Sequence, residues 1–324
     1  MKGKYIARRI FQTVLTLLAV LIMTWLLFRL IPGDPASIYV SGHLTPEDIK
    51  ALRRLWGLDA SLYVQFFRYL INCFHGNFGI SFYYRESVAA VVIPRLINTL
   101  ILMGPPIIMA IILGTVLGSY LGWEKGSVRE GIGVILSLFS RSFPIYLTGI
   151  IGLMLFSHYL GWFPLGGMRT IGGIQTSWVG RFIDTSHHLM LPLAVALFYY
   201  IGDVIMIART SILEIIGEEY LEFAKARGLS SSKIRRIAMR NAIIPVVTYS
   251  TIMIGFALGG QVLIEMVFAW PGIGMLMVES VTRRDYPVSQ ATFFIMAVAV
   301  IVGNLLVDLL YGFLDPRITY EKNF

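Results

Sequence analysis

The sequence predicts an all-α polytopic membrane protein with about six transmembrane helices. Hydrophobic residues occupy 56% of the 324 positions and charged residues only 14%. The mean hydropathy of +0.72 is too high for a soluble domain of ordinary composition. Long apolar runs follow one another along the chain, separated by short charged segments or by segments rich in glycine and proline. Each run is near the length of about 20 residues that crosses a bilayer as a helix.

The composition also excludes several classes of function. The net charge of +8 comes from bases that lie mainly beside the apolar runs, where membrane orientation and lipid headgroups explain them, so we expect no nucleic-acid partner. The single cysteine, Cys73, excludes an internal disulfide. No Gly-x-x-x-x-Gly-Lys-Ser/Thr loop occurs, so ATP, if used, binds to another chain, and we expect no cofactor on this one. The adjacent His187 and His188 would point about 100° apart on a helix, so the pair alone is a poor metal chelate. We predict no metal site and no catalytic residue in this chain.

The first apolar run predicts an uncleaved membrane helix over residues 1–31. Four basic residues precede residues 10–31, which would form a helix about 33 Å long and therefore match a bilayer core of about 30 Å. No cleavage pattern follows this run, so the N-terminus is predicted to stay in the cytoplasm. The prolines and glycine of residues 31–35 end the helix. Residues 32–95 are then predicted to form a long extracytoplasmic segment whose amphipathic helices lie along the membrane surface or cap the pore, with a role in structural packing favoured.

Five further spans are predicted within residues 96–313, and residues 314–324 form a cytoplasmic tail. The apolar runs are residues 97–122, 131–159, 188–212, 242–268 and 291–313. In the second span, Gly114, Gly118 and Gly122 recur at four-residue spacing, which predicts that another helix approaches closely along this stripe. The third span is interrupted by Arg141 and Pro144.

Ionisable residues inside the spans are candidates for function because a charge in a membrane is costly. Arg141, Asp203 and Glu265 are such residues, and we place all three on a candidate substrate path. Arg141 lies within three turns of a span end, so snorkelling to the cytoplasmic surface is an equal alternative. Asp203 has three alternatives: it pairs with Arg141, lines the path, or faces water near the cytoplasmic end. Glu265 lies near the outer end of the fifth span.

A polar stretch over residues 218–245 separates two of the apolar runs. Its first part carries acids before bases, an order that complements a helix dipole. Gly228 then supplies the residue that most easily adopts a left-handed conformation after a helix. Three serines, residues 230–232, offer N-cap oxygens to a second, basic helix that leads into Pro245 and the next span. The stretch therefore predicts a short helix, a turn, a basic helix and a return to the membrane.

The distribution of bases predicts which side this stretch occupies. With six spans starting inside, residues 1–9, 123–130, 209–240 and the tail are cytoplasmic and hold 15 of the 27 basic residues. The longer outside segments hold 10. Because short cytoplasmic loops carry the excess of Lys and Arg, the count places both termini and residues 213–241 in the cytoplasm.

Several motifs of the chain resemble those of ATP-binding-cassette importer permeases of the peptide/nickel type. Glu222, Phe223, Ala224 and Gly228 resemble the "EAA" loop of these permeases. Phe223 replaces an alanine, and Gly228 lies 17 residues before Pro245, a spacing similar to that of the peptide branch. Further similar blocks, which extend the resemblance over essentially the whole chain, are IPGDP (31–35), WGLD (56–59), HGNFGIS (75–81), WPGIG (270–274) and DPR (315–317). Asn77 and Met206 depart from the residues usual in the family.

The resemblance implies a single permease domain, residues 1–324, of the type I importer kind. Such a permease forms half of the translocation pathway for peptides that a substrate-binding protein delivers; oligosaccharides, glutathione and nickel are alternative substrates. It is not an enzyme by itself, because two partner ATPase subunits bind ATP and Mg. A second homologous permease subunit, in a heterodimer, would complete the complex in the cell membrane. The residues implied to dock on an ATPase, within the coupling loop 213–241, are Glu222, Phe223, Ala224, Arg227 and Gly228.

Two other classes of function compete with this one. In a stand-alone secondary transporter or channel, Arg141, Asp203 and Glu265 would be proton or ion relay groups. A non-transporting membrane assembly factor would need none of these groups, but it would leave the coupling-like stretch unexplained.

Overall fold

The computed structural model describes residues 2–30, 47, 59–170, 172, 177–258 and 261–314. These residues are helical apart from turns and an isolated bridge between Ile80 and Ser87, which confirms the all-α prediction. The motif at 31–35, the amphipathic segment that starts near residue 45, and the tail from residue 315 lie outside the described residues.

The helices follow one another with short connections. In chain order they are α1 (Lys2–Leu30), α2 (Leu62–Phe74), α3 (Val88–Trp123), α4 (Val128–Ser142), α5 (Ile145–Gly152) with a π-helical continuation (Leu153–Tyr159), α6 (Trp178–Ile216), α7 (Glu219–Ala226), α8 (Ser231–Leu258), α9 (Val262–Val267), α10 (Ile273–Thr282) and α11 (Tyr286–Leu314). Within the described part, five are long and apolar enough to cross a membrane, and the α4–α5 pair makes six if it is one span.

The third predicted span is not one straight helix. Helix α4 and the segment 145–159 meet at an angle of 93°. The break falls at Phe143 and Pro144, which have extended or proline-type backbone angles. Proline disfavours a helical conformation in the residue before it, so the chain cannot continue α4 through this point. Arg141 therefore lies in the last turn of α4, directly before the bend.

Two helices are longer than the apolar runs that predicted them. Helix α3 begins at Val88 rather than after residue 95, and α6 begins at Trp178 rather than at residue 188. Each is capped: the Ser87 Oγ accepts from the Ala90 N–H at 3.3 Å, and the Ser177 Oγ accepts from the Gly180 N–H at 3.1 Å. Hydropathy marks only the apolar part of a helix, whereas the caps mark where the helix begins.

The fifth predicted span also differs from the structure. The basic helix and the first part of the span form one helix, α8, which contains Pro245. The remainder, α9, is a separate short helix that starts at Val262. Gly259 and Gly260, which lie between them, are outside the described residues.

Close packing of α3 against α6 forms the centre of the fold. A β-carbon added at Gly114 would lie 2.7 Å from the Val204 Cβ, and one at Gly122 would lie 2.7 Å from the Ile212 Cβ. At Gly118 it would overlap the carbonyl oxygen of Ile205. The glycine stripe therefore allows direct backbone contact, as the sequence predicted.

Contacts between helix ends show which termini share one end of the bundle. Arg9 of α1 lines a small cavity with Asn304 of α11, whereas Phe28, at the other end of α1, packs edge-on against Tyr286 at the start of α11. The start of α3 packs against the start of α11, in a cluster that includes Val88 and Val288. The beginning of α1, the end of α3 and the end of α11 therefore lie on the same side.

A buried carboxylate fixes the opposite end. Asp285 is 1% exposed and accepts hydrogen bonds from the Ser81 hydroxyl and from the backbone N–H groups of Phe82 and Tyr83, the latter two at 3.1 Å. These bonds attach the turn before α3 to the junction of α10 and α11. The described part of the predicted outer segment thus packs on the bundle.

We predict that Gly118→Ala destabilises the protein. The added methyl group would overlap a backbone oxygen, which cannot rotate away, and overpacking of this kind costs about 1–3 kcal/mol. The measurement is the melting temperature in detergent, followed by size-exclusion chromatography. Gly104→Ala is the matched control on the same helix, because nothing lies within 4 Å of its added β-carbon. Equal melting temperatures for the two variants would contradict the prediction.

Candidate functional site

The end of the short helix α7 has the geometry that the sequence predicted. Gly228 adopts φ +73°, in the left-handed region. Its N–H donates to the Lys225 carbonyl at 2.9 Å, and the Leu229 N–H donates to the Ala224 carbonyl at 3.3 Å. These two bonds form a Schellman motif, which satisfies the last carbonyls of the helix and turns the chain towards α8.

One face of α7 is buried within the chain. Leu221 and Ala224 are 1% and 7% exposed, and they pack against Ile234 and Ala238 of α8. Leu229 completes this small core from the turn. Ala224 is therefore a packing residue of this chain, and its contact with an ATPase stays a prediction.

The opposite face of α7 is exposed. We call Glu222, Phe223, Arg227 and Gly228 the coupling surface, because all four are exposed and were predicted to dock on an ATPase. Phe223 stands out, since 67% of it is exposed although it is a large apolar residue. Charged groups surround it, so the surface combines an apolar anchor with groups able to form charge-assisted hydrogen bonds.

Two contacts tie this region to the membrane-spanning helices. The Asn241 amide of α8 donates to the Tyr220 hydroxyl at 2.9 Å. The Arg235 guanidinium lies 5.5 Å from the ring centroid of Trp123, at the end of α3. Helix α7 is therefore held between the ends of α3 and α8.

An ion pair holds α4 against α6 nearby. The Arg209 Nε donates to the Glu130 Oε1 at 2.9 Å, and the Glu130 carboxylate also accepts from the Gly126 N–H. Both side chains are largely buried, with 22% and 9% of their surface exposed. Breaking a pair of this kind leaves an uncompensated charge, so the pair fixes α6 to the turn between α3 and α4.

A cavity of about 450 Å³ lies between α4, α6 and α8. An ion pair crosses it: the Arg141 Nη1 lies 3.1 Å from the Asp203 Oδ1. The Tyr249 hydroxyl donates to the Asp203 Oδ2 at 2.8 Å. The remaining lining residues are Met206, Ile207, Thr210, Ser211, Glu214 and Pro245.

The structure thus answers the question that the sequence left open for Asp203. Asp203 pairs with Arg141 and also lines a cavity, and its side chain is 21% exposed. Arg141 is 53% exposed and remains accessible from the cavity. At 1.5 Å per residue, Arg141 lies about 20 Å along α4 from the α7 end of the bundle. The pair therefore lies within the third and fourth predicted spans.

Glu265 does not belong to this site. It is fully buried, and its carboxylate accepts from the Thr99 hydroxyl at 2.7 Å and from the Met275 N–H at 2.8 Å. The Thr99 hydroxyl in turn accepts from the Ile273 N–H at 2.9 Å. The carboxylate thus caps the start of α10 and complements its dipole. These contacts give Glu265 a structural role, and its placement on the substrate path stays a prediction.

Sequence reasoning missed three members of these sites. Tyr249 lies in an apolar run that contains other aromatic residues, and nothing in its spacing points to Asp203. Glu130 and Arg209 are 79 positions apart, and each looked like an ordinary charge at a span end. A hydrogen-bonding aromatic residue in the helix that follows a buried acid is the signal that could have identified Tyr249.

Family models match nearly the whole chain. The model described as "Binding-protein-dependent transport system inner membrane component" matches residues 111–320. An N-terminal model, described as "Binding-prot-dependent transport system membrane comp, N-term", matches residues 2–103.

Individual relatives are similar over their full length. The chain is 33% identical to the oligopeptide transport system permease protein AppB of Bacillus subtilis (strain 168), over 98% of this chain and 99% of the relative. It is 35% identical to the di/tripeptide transport system permease protein DppB of Pseudomonas aeruginosa (strain UCBPP-PA14), with the same coverage. It is 34% identical to the glutathione transport system permease protein GsiC of Salmonella paratyphi A (strain ATCC 9150 / SARB42), again over 98% and 99%.

We predict that Glu265→Ala lowers stability strongly. The substitution leaves the Thr99 hydroxyl and the Met275 N–H without their acceptor, and each buried unsatisfied group costs about 1–3 kcal/mol. The measurement is the amount of folded protein in the membrane and its melting temperature. Glu279→Ala is the control, because the partly exposed Glu279 carboxylate makes only a 3.8 Å ion pair with Arg95 and a 3.3 Å hydrogen bond with the Tyr84 hydroxyl, so we expect a smaller loss of stability. A stable Glu265→Ala protein that fails only in function would contradict the structural role.

Proposed function

Because this chain belongs to the family of binding-protein-dependent transport system inner membrane components, we propose that it forms half of the translocation pathway of a peptide importer. The resemblance drawn from the sequence motifs is confirmed by this membership. The chain is a permease subunit of an ATP-binding-cassette importer, whose ATP hydrolysis occurs in separate ATPase subunits. A substrate-binding protein is its other partner. The ATP-binding-cassette permease therefore replaces the alternative of a stand-alone secondary transporter.

The proposed substrate is a short peptide. The relatives are named for oligopeptide, di/tripeptide and glutathione transport, and glutathione is itself a tripeptide. Oligosaccharides and nickel find less support. Within the described residues, no group of three His, Cys, Asp or Glu side chains could hold a metal ion.

The proposed coupling element is α7, and the single observation that carries this proposal is its two-sided packing. Its inner face, with Leu221, is buried against α8, whereas the coupling surface faces outwards. A partner ATPase that moves the coupling surface would therefore move the ends of α3 and α8 as well, through rigid packing. ATP and Mg would be bound by that partner.

The proposed orientation places α7 and both termini in the cytoplasm. The excess of bases in the short segments supports it, as does the placement of the start of α1, the end of α3 and the end of α11 on one side. A second permease subunit, homologous to this one, would complete the pathway, because a half-pathway needs a complementary half.

We predict that Phe223→Ala weakens docking of the ATPase subunits and thereby lowers transport. Removing this exposed apolar anchor weakens docking by about 2 kcal/mol, the loss typical of an interface hot spot. It leaves the core of this chain undisturbed, because Phe223 lies on the surface. The measurements are co-purification of the ATPase subunits and peptide uptake in proteoliposomes that contain the binding protein. We expect both to fall at least about tenfold.

Phe182→Ala is the matched control for this experiment. Phe182 is 68% exposed, close to the value for Phe223, but it lies near the start of α6, at the other end of that helix from α7. Its replacement should leave ATPase co-purification unchanged. Gly228→Leu, which should also block transport, is a weaker test because φ +73° strains any side chain there. Normal ATPase binding and uptake by Phe223→Ala would refute the coupling role of α7.

A further inference from the structure

We propose that Arg141 and Asp203 together bind the two charged termini of a short peptide as it passes through the cavity. In this arrangement, Asp203 binds the α-ammonium group and Arg141 binds the α-carboxylate. The inference rests on the proposed function, since it names the chemical feature of the peptide that the permease itself recognises.

The opposite charges of Arg141 and Asp203 favour a ligand that carries both charges. The Arg141–Asp203 pair presents one cation and one anion 3.1 Å apart within the predicted spans, and the cavity lining also contains the Glu214 carboxylate. A ligand with a single charge would leave one of the two groups unpaired, which is expensive in a medium of low dielectric constant. A zwitterion exchanges one ion pair for two and leaves neither member of the Arg141–Asp203 pair without a partner. The pair therefore favours ligands that carry both charges.

The Asp203 and Arg141 side chains differ in how freely they can move. The Tyr249 hydroxyl holds the Asp203 carboxylate at 2.8 Å, and only 21% of the Asp203 side chain is exposed. Arg141 is 53% exposed and has a long, flexible side chain. Asp203 is thus a fixed point for the ammonium group, whereas the Arg141 guanidinium can move by several ångströms to meet the carboxylate. Short peptides of different length can then bind the same pair.

The volume of the cavity and the polarity of its remaining walls also suit short peptides. The volume of about 450 Å³ lies in the range of about 300–1,000 Å³ that small-molecule sites occupy. Met206, Ile207 and Pro245 offer apolar surface, and methionine adapts to side chains of different shape. Such walls accept varied peptide side chains, so selectivity falls on the termini that all short peptides share.

The test is a binding experiment with the purified permease–ATPase complex, without the binding protein. The probe is radiolabelled alanyl-alanine, and the competitors are unlabelled alanyl-alanine, its N-acetyl derivative and its C-terminal amide. For the wild-type complex, we expect each capped competitor to bind at least about tenfold more weakly than the free dipeptide, because each lacks one charge-assisted bond.

Variants assign each terminus to one residue. Asp203→Asn should abolish the penalty for N-acetylation and keep the penalty for amidation, whereas Arg141→Gln should do the reverse. Glu214→Gln, which removes another carboxylate from the same cavity, should keep both penalties. The double variant Arg141→Gln/Asp203→Asn removes both charges of the pair, so neither is left unpaired and the protein should fold. It should bind free and capped peptides alike. No measurable binding by the wild type, or penalties that persist in the variants, would overturn the inference.

A separate measurement distinguishes this failure from failure of the proposed function. Uptake of alanyl-alanine is measured for the wild-type complex in proteoliposomes with its binding protein. If uptake occurs but the capping penalties do not follow Arg141 and Asp203, only the terminal-recognition proposal fails. If no peptide is taken up, the peptide-importer proposal fails as well.

Discussion

The backbone contact between α3 and α6 is the constraint on which the other features of this permease depend. Gly114, Gly118 and Gly122 bring the two helices so close that neither can shift without the other. Helix α6 is also pressed against α4, because a β-carbon at Gly202 would meet the Ser137 carbonyl. Gly202 directly precedes Asp203, so this approach explains why an aspartate in α6 reaches an arginine in α4. The position of the ion pair is thus a consequence of small residues in the neighbouring turns.

The same three helices connect the cavity to α7. Helix α6 carries Asp203 in the cavity and ends just before α7, and α3 ends at Trp123, beside the Leu221 core. The Glu130–Arg209 pair closes the remaining gap between α4 and α6. A displacement of α7 is therefore transmitted by packed backbone and by buried charge pairs, neither of which deforms gradually. The proposed mechanism needs no flexible linker between the energy source and the cavity.

Much of this architecture could be predicted from sequence, and the failures share a physical cause. The spans, the glycine stripe and the helix end at Gly228 depend on local composition or on conformations that few residues adopt. They could therefore be predicted from the sequence. The 93° bend, the cap formed by Glu265 and the contact between Tyr249 and Asp203 depend on residues far apart in sequence. Hydropathy could not decide whether Glu265 faced a pore or a helix start, because both sites are costly for a carboxylate. A small residue such as Ala224 suits internal packing as well as docking, so the sequence alone does not distinguish the two roles.

The location of the Arg141–Asp203 pair links occupancy of the cavity to the state of the transporter. Arg141 is in the last turn before the bend at Phe143 and Pro144, and Asp203 is on the helix fixed to α3. Any motion that separates α4 from α6 at this level must break the pair, which leaves two charges inside the membrane. A ligand that supplies both opposite charges removes that cost, whereas water alone must enter the cavity to do the same. Under the proposed recognition of the peptide termini, the pair opposes opening of an empty cavity and permits opening of a filled one, so a bound peptide would lower the barrier to its own transport.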